Sequence, residues 1–173
     1  ILAFLSHGAS TPTWLARVLQ AEPQFAMGQA ARGMFLLLLG RAELTQTARE
    51  ALDLARQGID GGHVSARECH YVDALARYLG RDLLGAASAM ETVLRTHPED
   101  ALAMKLSQAI RFVLGDAAGM RRSIERVLPA YGPDHAARGY ALGCHAFALE
   151  ETGAYPQAES AGREGLALAE NDA

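Results

Sequence analysis

Four glycines, Gly40, Gly80, Gly115 and Gly153, recur along this chain at intervals of 40, 35 and 38 residues. Each stands between two stretches whose apolar residues repeat at helical spacing, and that constrains the fold more than any other feature. A pair of short helices joined by a glycine turn cannot bury its apolar face alone; it needs the next pair stacked on it, which is why repeats of this length mark α-solenoids. The expectation is an all-α chain, an α-solenoid of stacked antiparallel helix hairpins, forming a single repeat domain over residues 1–173. Residues 1–57 hold the first helices and hairpin, and further hairpins span 63–98, 99–130 and 134–170.

Composition supports helices and little else. There are 34 Ala and 24 Leu against 4 Ile, 6 Val and 7 Thr, so helix formers swamp the β-branched residues that suit strands. Acidic and basic residues, 20 against 16, are mixed along the chain and leave a net charge of -4. No clustered positive patch exists of the kind that nucleic acid or an anionic membrane surface requires. The strongly apolar run Met34–Leu39 is far shorter than the roughly 18 residues of a membrane-spanning helix. Two cysteines, Cys69 and Cys144, make no disulfide framework. A reducing, cytoplasmic setting is expected, and no signal peptide can be read from a chain that opens at Ile1.

Helix boundaries are marked by their caps. Thr11-Pro12 opens a helix to about Ala21, Pro23 a second that runs to Gly40, and Glu43 a third that stops at Gly58, where a glycine-rich linker to Gly62 begins. Ser65 and Glu68 form a capping-box pattern for a helix to Leu79. Asp82 caps the next, closed by Pro98; Glu99 starts another, closed by Gly115, with Leu102, Leu106, Ala109, Ile110 and Val113 on its inner face. Asp116 caps a helix ended by Pro129, His135 begins one that reaches Thr152, and Pro156 begins the last.

Small residues recur at fixed distances from the turns. Gly153 with Ala158 five residues on, followed by Gly162 and Gly165, resembles the second half of a tetratricopeptide repeat. Asp82 to Ala86 with Pro98 looks like the same segment carrying one extra residue, Arg81. Gly33 and Ala146 each lie seven residues before a turn glycine, where that motif has a small residue; in the third hairpin Gln108 and Met120 hold the two small sites. Met34 to Arg41, Gly115 to Pro129 and Tyr140 to Leu168, the last including His145-Ala-Phe-Ala-Leu-Glu-Glu-Thr-Gly, together are similar to the tetratricopeptide repeat protein 38 family. The resemblance covers most of the chain, implies a tetratricopeptide-like solenoid of which this is an N-terminal part, and brings no established activity with it.

Side chains that could carry chemistry are few. Cys69-His70 and Cys144-His145 carry zinc-ligand types, but neighbours on a helix point about 100° apart and structural roles are the better expectation. Ser6-His7-Gly8-Ala9-Ser10 lacks the strand of a nucleophile elbow, and the Gly58 to His63 segment lacks the lysine of a phosphate loop. No catalytic group, metal or cofactor is expected. In a tetratricopeptide-like register the first helices present Glu68, Tyr71, Tyr78, Lys105, Phe112, Tyr140, His145, Phe147 and Glu151 to a concave groove. The expected function is therefore a non-catalytic protein-interaction scaffold with a protein or peptide partner, no nucleic acid and no membrane. The competing reading is an enzyme or a small-molecule or metal binder completed around His145 and Glu151 by residues beyond this chain, and self-association through the last hairpin is a third. Lys105 and Asn171 are the only Lys and the only Asn, which argues against a clamp for chaperone C-terminal carboxylates.

Overall fold

The computed structural model of the chain describes residues 1–6, 8–62 and 64–169; His7, His63 and the tail Glu170, Asn171, Asp172 and Ala173 lie outside the described residues. Every regular element among the described residues is helical: α1 (Leu2–Leu5), α2 (Thr11–Ala21), α3 (Ala26–Leu38), α4 (Thr45–Asp60), α5 (Ala66–Leu79), α6 (Leu83–Thr96), α7 (Ala101–Leu114), α8 (Ala117–Val127), α9 (Arg138–Glu151) and α10 (Tyr155–Leu168). Two single 3-10 turns, Ala42–Leu44 and Leu128–Ala130, precede α4 and follow α8. Helices pack on their neighbours in sequence: α3 on α4 and α5, α4 on α5, α7 on α8, α8 on α9 and α9 on α10, with α7 also touching α9.

The contacts divide into two compact units, one spanning Pro12–Val93 and the other made of Ile1–Thr11 with the chain from Leu94 onward. In the first, Met34, Ala48, Ala51, Ala55, Tyr71 and Leu75 are fully buried. Gly33 on α3 exists to admit α5, because a Cβ there would lie 2.5 Å from Leu75 Cδ2. In the second, Leu5, Met104, Leu106, Ile110, Ile124 and Tyr131 are fully buried, and α9 meets α10 through glycines. A Cβ on Gly165 would lie 3.0 Å from the Gly139 carbonyl, and Arg138 donates to Glu164 at 2.7 Å across the same pair.

Three of the four hairpin turns share one geometry; at the fourth, Gly40 is left-handed with φ 67° but, among the described residues, the Arg41 N–H does not return to α3. After α7, Gly115 adopts a left-handed φ of 70° and the Asp116 N–H donates back to the Arg111 carbonyl at 2.9 Å. After α9, Gly153 has φ 77° and the Ala154 N–H donates to the Leu149 carbonyl at 2.9 Å. This pattern closes the last helical carbonyls. After α5 the left-handed residue is not Gly80, whose φ is -77°, but Arg81 at φ 65°, and the Asp82 N–H donates to the Arg77 carbonyl at 2.9 Å. The turn is thus shifted by one residue, and the shift restores the small-residue spacing: seven residues before Arg81 is Ala74 and five after it is Ala86, both fully buried.

The side chain of the following aspartate does two jobs in two of these turns. Asp82 Oδ1 accepts the Gly85 N–H and Asp116 Oδ1 the Gly119 N–H, each at 2.8 Å, which caps α6 and α8. The other carboxylate oxygen binds the arginine five residues earlier, Arg77 or Arg111. Gly85 and Gly119 leave room for it, since a Cβ at either would collide with the carboxylate. The Gly85 N–H first, and the Arg77 guanidinium second, hold Asp82 below its ordinary pKa.

Several boundaries differ from the sequence reading. Gly58 does not stop its helix; α4 runs through it to Asp60, and its missing Cβ lets the Gln24 carbonyl approach. The glycine there serves a close contact instead of a linker. The α3 helix begins at Ala26, not Pro23, because the segment before it turns back and the Gln29 side chain donates to the Pro23 carbonyl at 2.7 Å. The α9 helix begins at Arg138, not His135, since His135 is used in the preceding turn, its Nδ1 accepting the Ala137 N–H. Val113 is exposed, not on the inner face of α7; Leu102, Ala103, Leu106 and Ile110 form that face.

Candidate functional site

The α7 sequence puts Lys105, Gln108, Ala109 and Phe112 at i, i+3, i+4 and i+7, which is one stripe of a helix. This stripe faces a groove of about 420 Å³ whose remaining walls come from Met120 of α8, Gly143, Cys144 and Phe147 of α9, and Gly162, Gly165 and Leu166 of α10. Gly143 on α9 and Gly162 and Gly165 on α10 contribute only backbone to the wall, and Gly165 is where α10 comes closest to α9, since a Cβ on it would lie 3.2 Å from Leu142 Cβ. All of these residues belong to the second unit.

Aromatic rings form the groove's lip. Phe112 and Phe147 keep 53% and 38% of their surface exposed, yet their rings lie 5.3 Å apart at a 55° tilt. Leu166, also exposed, completes the apolar rim. Other large apolar side chains are exposed elsewhere, Trp14, Leu84 and Tyr155 among them; what sets this rim apart is that its two rings touch each other and border a groove.

Polar groups in the groove are sparse and unspent. Gln108, 5% exposed, donates from Nε2 to the Met120 carbonyl at 3.0 Å, so the two large residues at the small-residue sites of this hairpin are bonded to each other. Because a carbonyl can only accept, that bond fixes which end of the amide is nitrogen. Its Oε1 is buried and accepts no hydrogen bond. Lys105 is the groove's one charge. Unlike Arg77, Arg111, Arg121, Arg138 and Arg163, it takes part in no ion pair among the described residues.

No family model matches the chain, and no solved structure does. What this groove can bind therefore has to be read from its own geometry.

Of the nine residues placed on the groove from sequence, Lys105, Phe112 and Phe147 line it. His145 does not; its Nε2 lies 3.8 Å from Glu125 Oε1 of α8 and makes no hydrogen bond. The acid facing His145 is thus Glu125 and not Glu151, which is exposed on the last turn of α9. Tyr140 is half-buried. In the other unit, Tyr71 is fully buried beneath the Arg67 guanidinium, 5.4 Å from the ring centroid, and serves as core. Tyr78 is half-buried, and burial raises its phenol pKa. Glu68 is spent on its own helix, accepting the Ser65 N–H at 2.9 Å in a complete capping box.

Glu68 also borders a wider opening of about 670 Å³ beside Glu22, Gln24, Phe25 and Val64. Gln24 there is bonded to Gln57, and this opening offers no exposed aromatic pair comparable to Phe112 and Phe147. Among the described residues, no three His, Cys, Asp or Glu side chains converge as metal ligands would. Neither cysteine is in a disulfide. Sequence reasoning missed Gln108, Gly143, Cys144 and Leu166. Gln108 carried a signal, being a large polar residue where the repeat pattern has a small one.

Proposed function

We propose that this chain is a tetratricopeptide-like interaction scaffold, a stack of helix hairpins of the kind found in the tetratricopeptide repeat protein 38 family, and that the groove across α7, α9 and α10 is its docking surface for a protein or peptide. Support for the stack comes from the repeated turn geometry and from α3 touching α5 and α7 touching α9, first helix to next first helix. The observation that carries the docking surface is the Phe112–Phe147 pair. Two phenylalanines hold each other at contact distance while exposed, an arrangement that suits anchoring of a partner's apolar side chain, where aromatic residues dominate binding energy. The proposed role is binding, and no catalytic step is assigned to the lysine, amide and buried thiol of the lining.

The test is selection of a phage-displayed library of random 16-residue peptides on the folded chain and on Phe112→Ala/Phe147→Ala. Enriched peptides should bind the double variant at least about tenfold more weakly, as expected when central anchors are lost, with little change in melting temperature. Equal binding by both proteins would place recognition elsewhere.

A further inference from the structure

The groove also carries chemistry that narrows its occupant. We infer that it takes a peptide segment in which an apolar side chain stands next to an acidic one, the carboxylate meeting Lys105, an N–H of the segment donating to Gln108 Oε1, and the apolar side chain lying against Phe112, Phe147 and Leu166. The inference rests on the groove being the docking surface.

Two independent observations fix the polar part. First, Lys105 is the single charge among the lining residues, is the only lysine in a chain of net charge -4, and has no ion-pair partner among the described residues. An unneutralised ammonium at the edge of an apolar groove selects an anion, and like charge is rejected. Second, Gln108 is buried to 5% exposure in the groove wall with its amide nitrogen committed to the Met120 carbonyl, which leaves Oε1 buried as an acceptor with no donor. Oε1 is sealed from solvent in the groove wall, so the amide shifts outward as the segment binds; an N–H then satisfies this acceptor, which an occupant with no hydrogen to give leaves unpaired. A peptide offers all three elements at once, since its backbone N–H is never far from its side chains. A free fatty carboxylate offers the anion and the apolar body but no donor, because its acid group is ionised at neutral pH.

The same display selection reads this directly. Peptides enriched on the unmodified chain should share an Asp or Glu within about four residues of a Leu, Ile, Met or aromatic residue, the reach of one helical turn or a short extended stretch. A synthetic fluorescein-labelled form of the most enriched peptide is then titrated by fluorescence polarisation. Replacing its acid by the matching amide should weaken binding about tenfold, the size of a close charge pair. Lys105→Met should weaken the original peptide to a similar degree and the amide peptide hardly at all, so that the two losses do not add. Selection on Lys105→Glu should turn the preference from acidic to basic peptides. Melting curves control for folding, and the peptide-side change cannot unfold the protein.

Enriched peptides that need Phe112 and Phe147 but show no acidic preference, or an acid whose loss is independent of Lys105, would overturn this inference and leave the docking surface standing. No enrichment at all would remove both. Decanoate displacing the labelled peptide and binding with comparable affinity, or light scattering that shows a dimer abolished by Phe147→Ala, would overturn the peptide assignment in favour of a free fatty acid or a second copy of the chain.

Discussion

The turn that follows α5 and the turn that follows α7 are built alike, but the helix faces leading into them are put to different use. Both pair an arginine with an aspartate five residues later, and both cap the next helix on that aspartate with a glycine three residues beyond. Counting back from the left-handed residue, Tyr71 of α5 corresponds to Lys105 of α7, Ala74 to Gln108 and Tyr78 to Phe112. In α5 the first two of these positions are fully buried and the third half-buried. In α7 the corresponding stripe borders a groove, with an unpaired charge at one end and an exposed ring at the other. A repeated hinge therefore does not impose a repeated surface. The hinge is set by residues that satisfy backbone groups, and the inner face by whichever side chains the neighbouring helices leave room for.

Substitutions can widen or close this difference. The largest effect is expected at Tyr71: replacing it by Ala should cost about 3–5 kcal/mol, the range for removing a large buried ring, measurable by urea unfolding. A loss below about 1 kcal/mol, the surface range, would mean that the α5 face is open as the α7 face is. Next come the caps. Asp116→Ala removes both a cap and a partly buried ion pair and should cost about 2 kcal/mol. Asp82→Ala should cost less, because its Arg77 pair is solvent-exposed and screened. The pH dependence separates them further. Asp82 has a folded-state pKa below its ordinary 3.8, so its contribution is complete above that unfolded value and is lost as pH falls through the lower folded one. Asp82→Ala should therefore flatten the acid limb of the stability curve below about pH 4. An unchanged acid limb would show that the Gly85 and Arg77 contacts are not formed in solution.

The smallest effect has the opposite sign. Arg81 holds a left-handed backbone conformation that glycine takes at Gly115 and Gly153, so Arg81→Gly should stabilise the chain by about 0.5–1 kcal/mol, once the extra freedom of glycine in the unfolded chain is subtracted from the relieved strain. Destabilisation would indicate that the turn after α5 is not of the same kind.

That turn also shows how much was legible in the letters. Helix identity and most of the caps could be read, because an Asp or Ser before an apolar-periodic run satisfies local backbone donors and leaves a local trace. The capping box at Ser65 and the left-handed Gly115 are as the sequence suggests. The shift from Gly80 to Arg81 was visible only as an interval that did not fit. Gly58 misled because a glycine that admits a distant carbonyl looks the same in sequence as one that ends a helix. The groove was legible in Lys105 and Phe112 of α7 and in Phe147. It was not legible in α5, where the same register buries Tyr71, nor at His145, whose acidic neighbour comes from α8. Burial depends on what the adjacent helices bring, and periodicity along one helix carries no record of it.

The exposed aromatic pair can be tested with no knowledge of the partner. Melting temperature is to be compared for the unmodified chain and for Phe112→Ser/Phe147→Ser, with circular dichroism to follow the helices. If both rings await a partner, the double variant should melt within about 3 °C of the unmodified chain, as surface changes in a domain of this size do. A fall of about 10 °C or more, equivalent to several kcal/mol, would show that the two phenylalanines hold the helices together, and the groove would be a seam of the core instead of a docking surface.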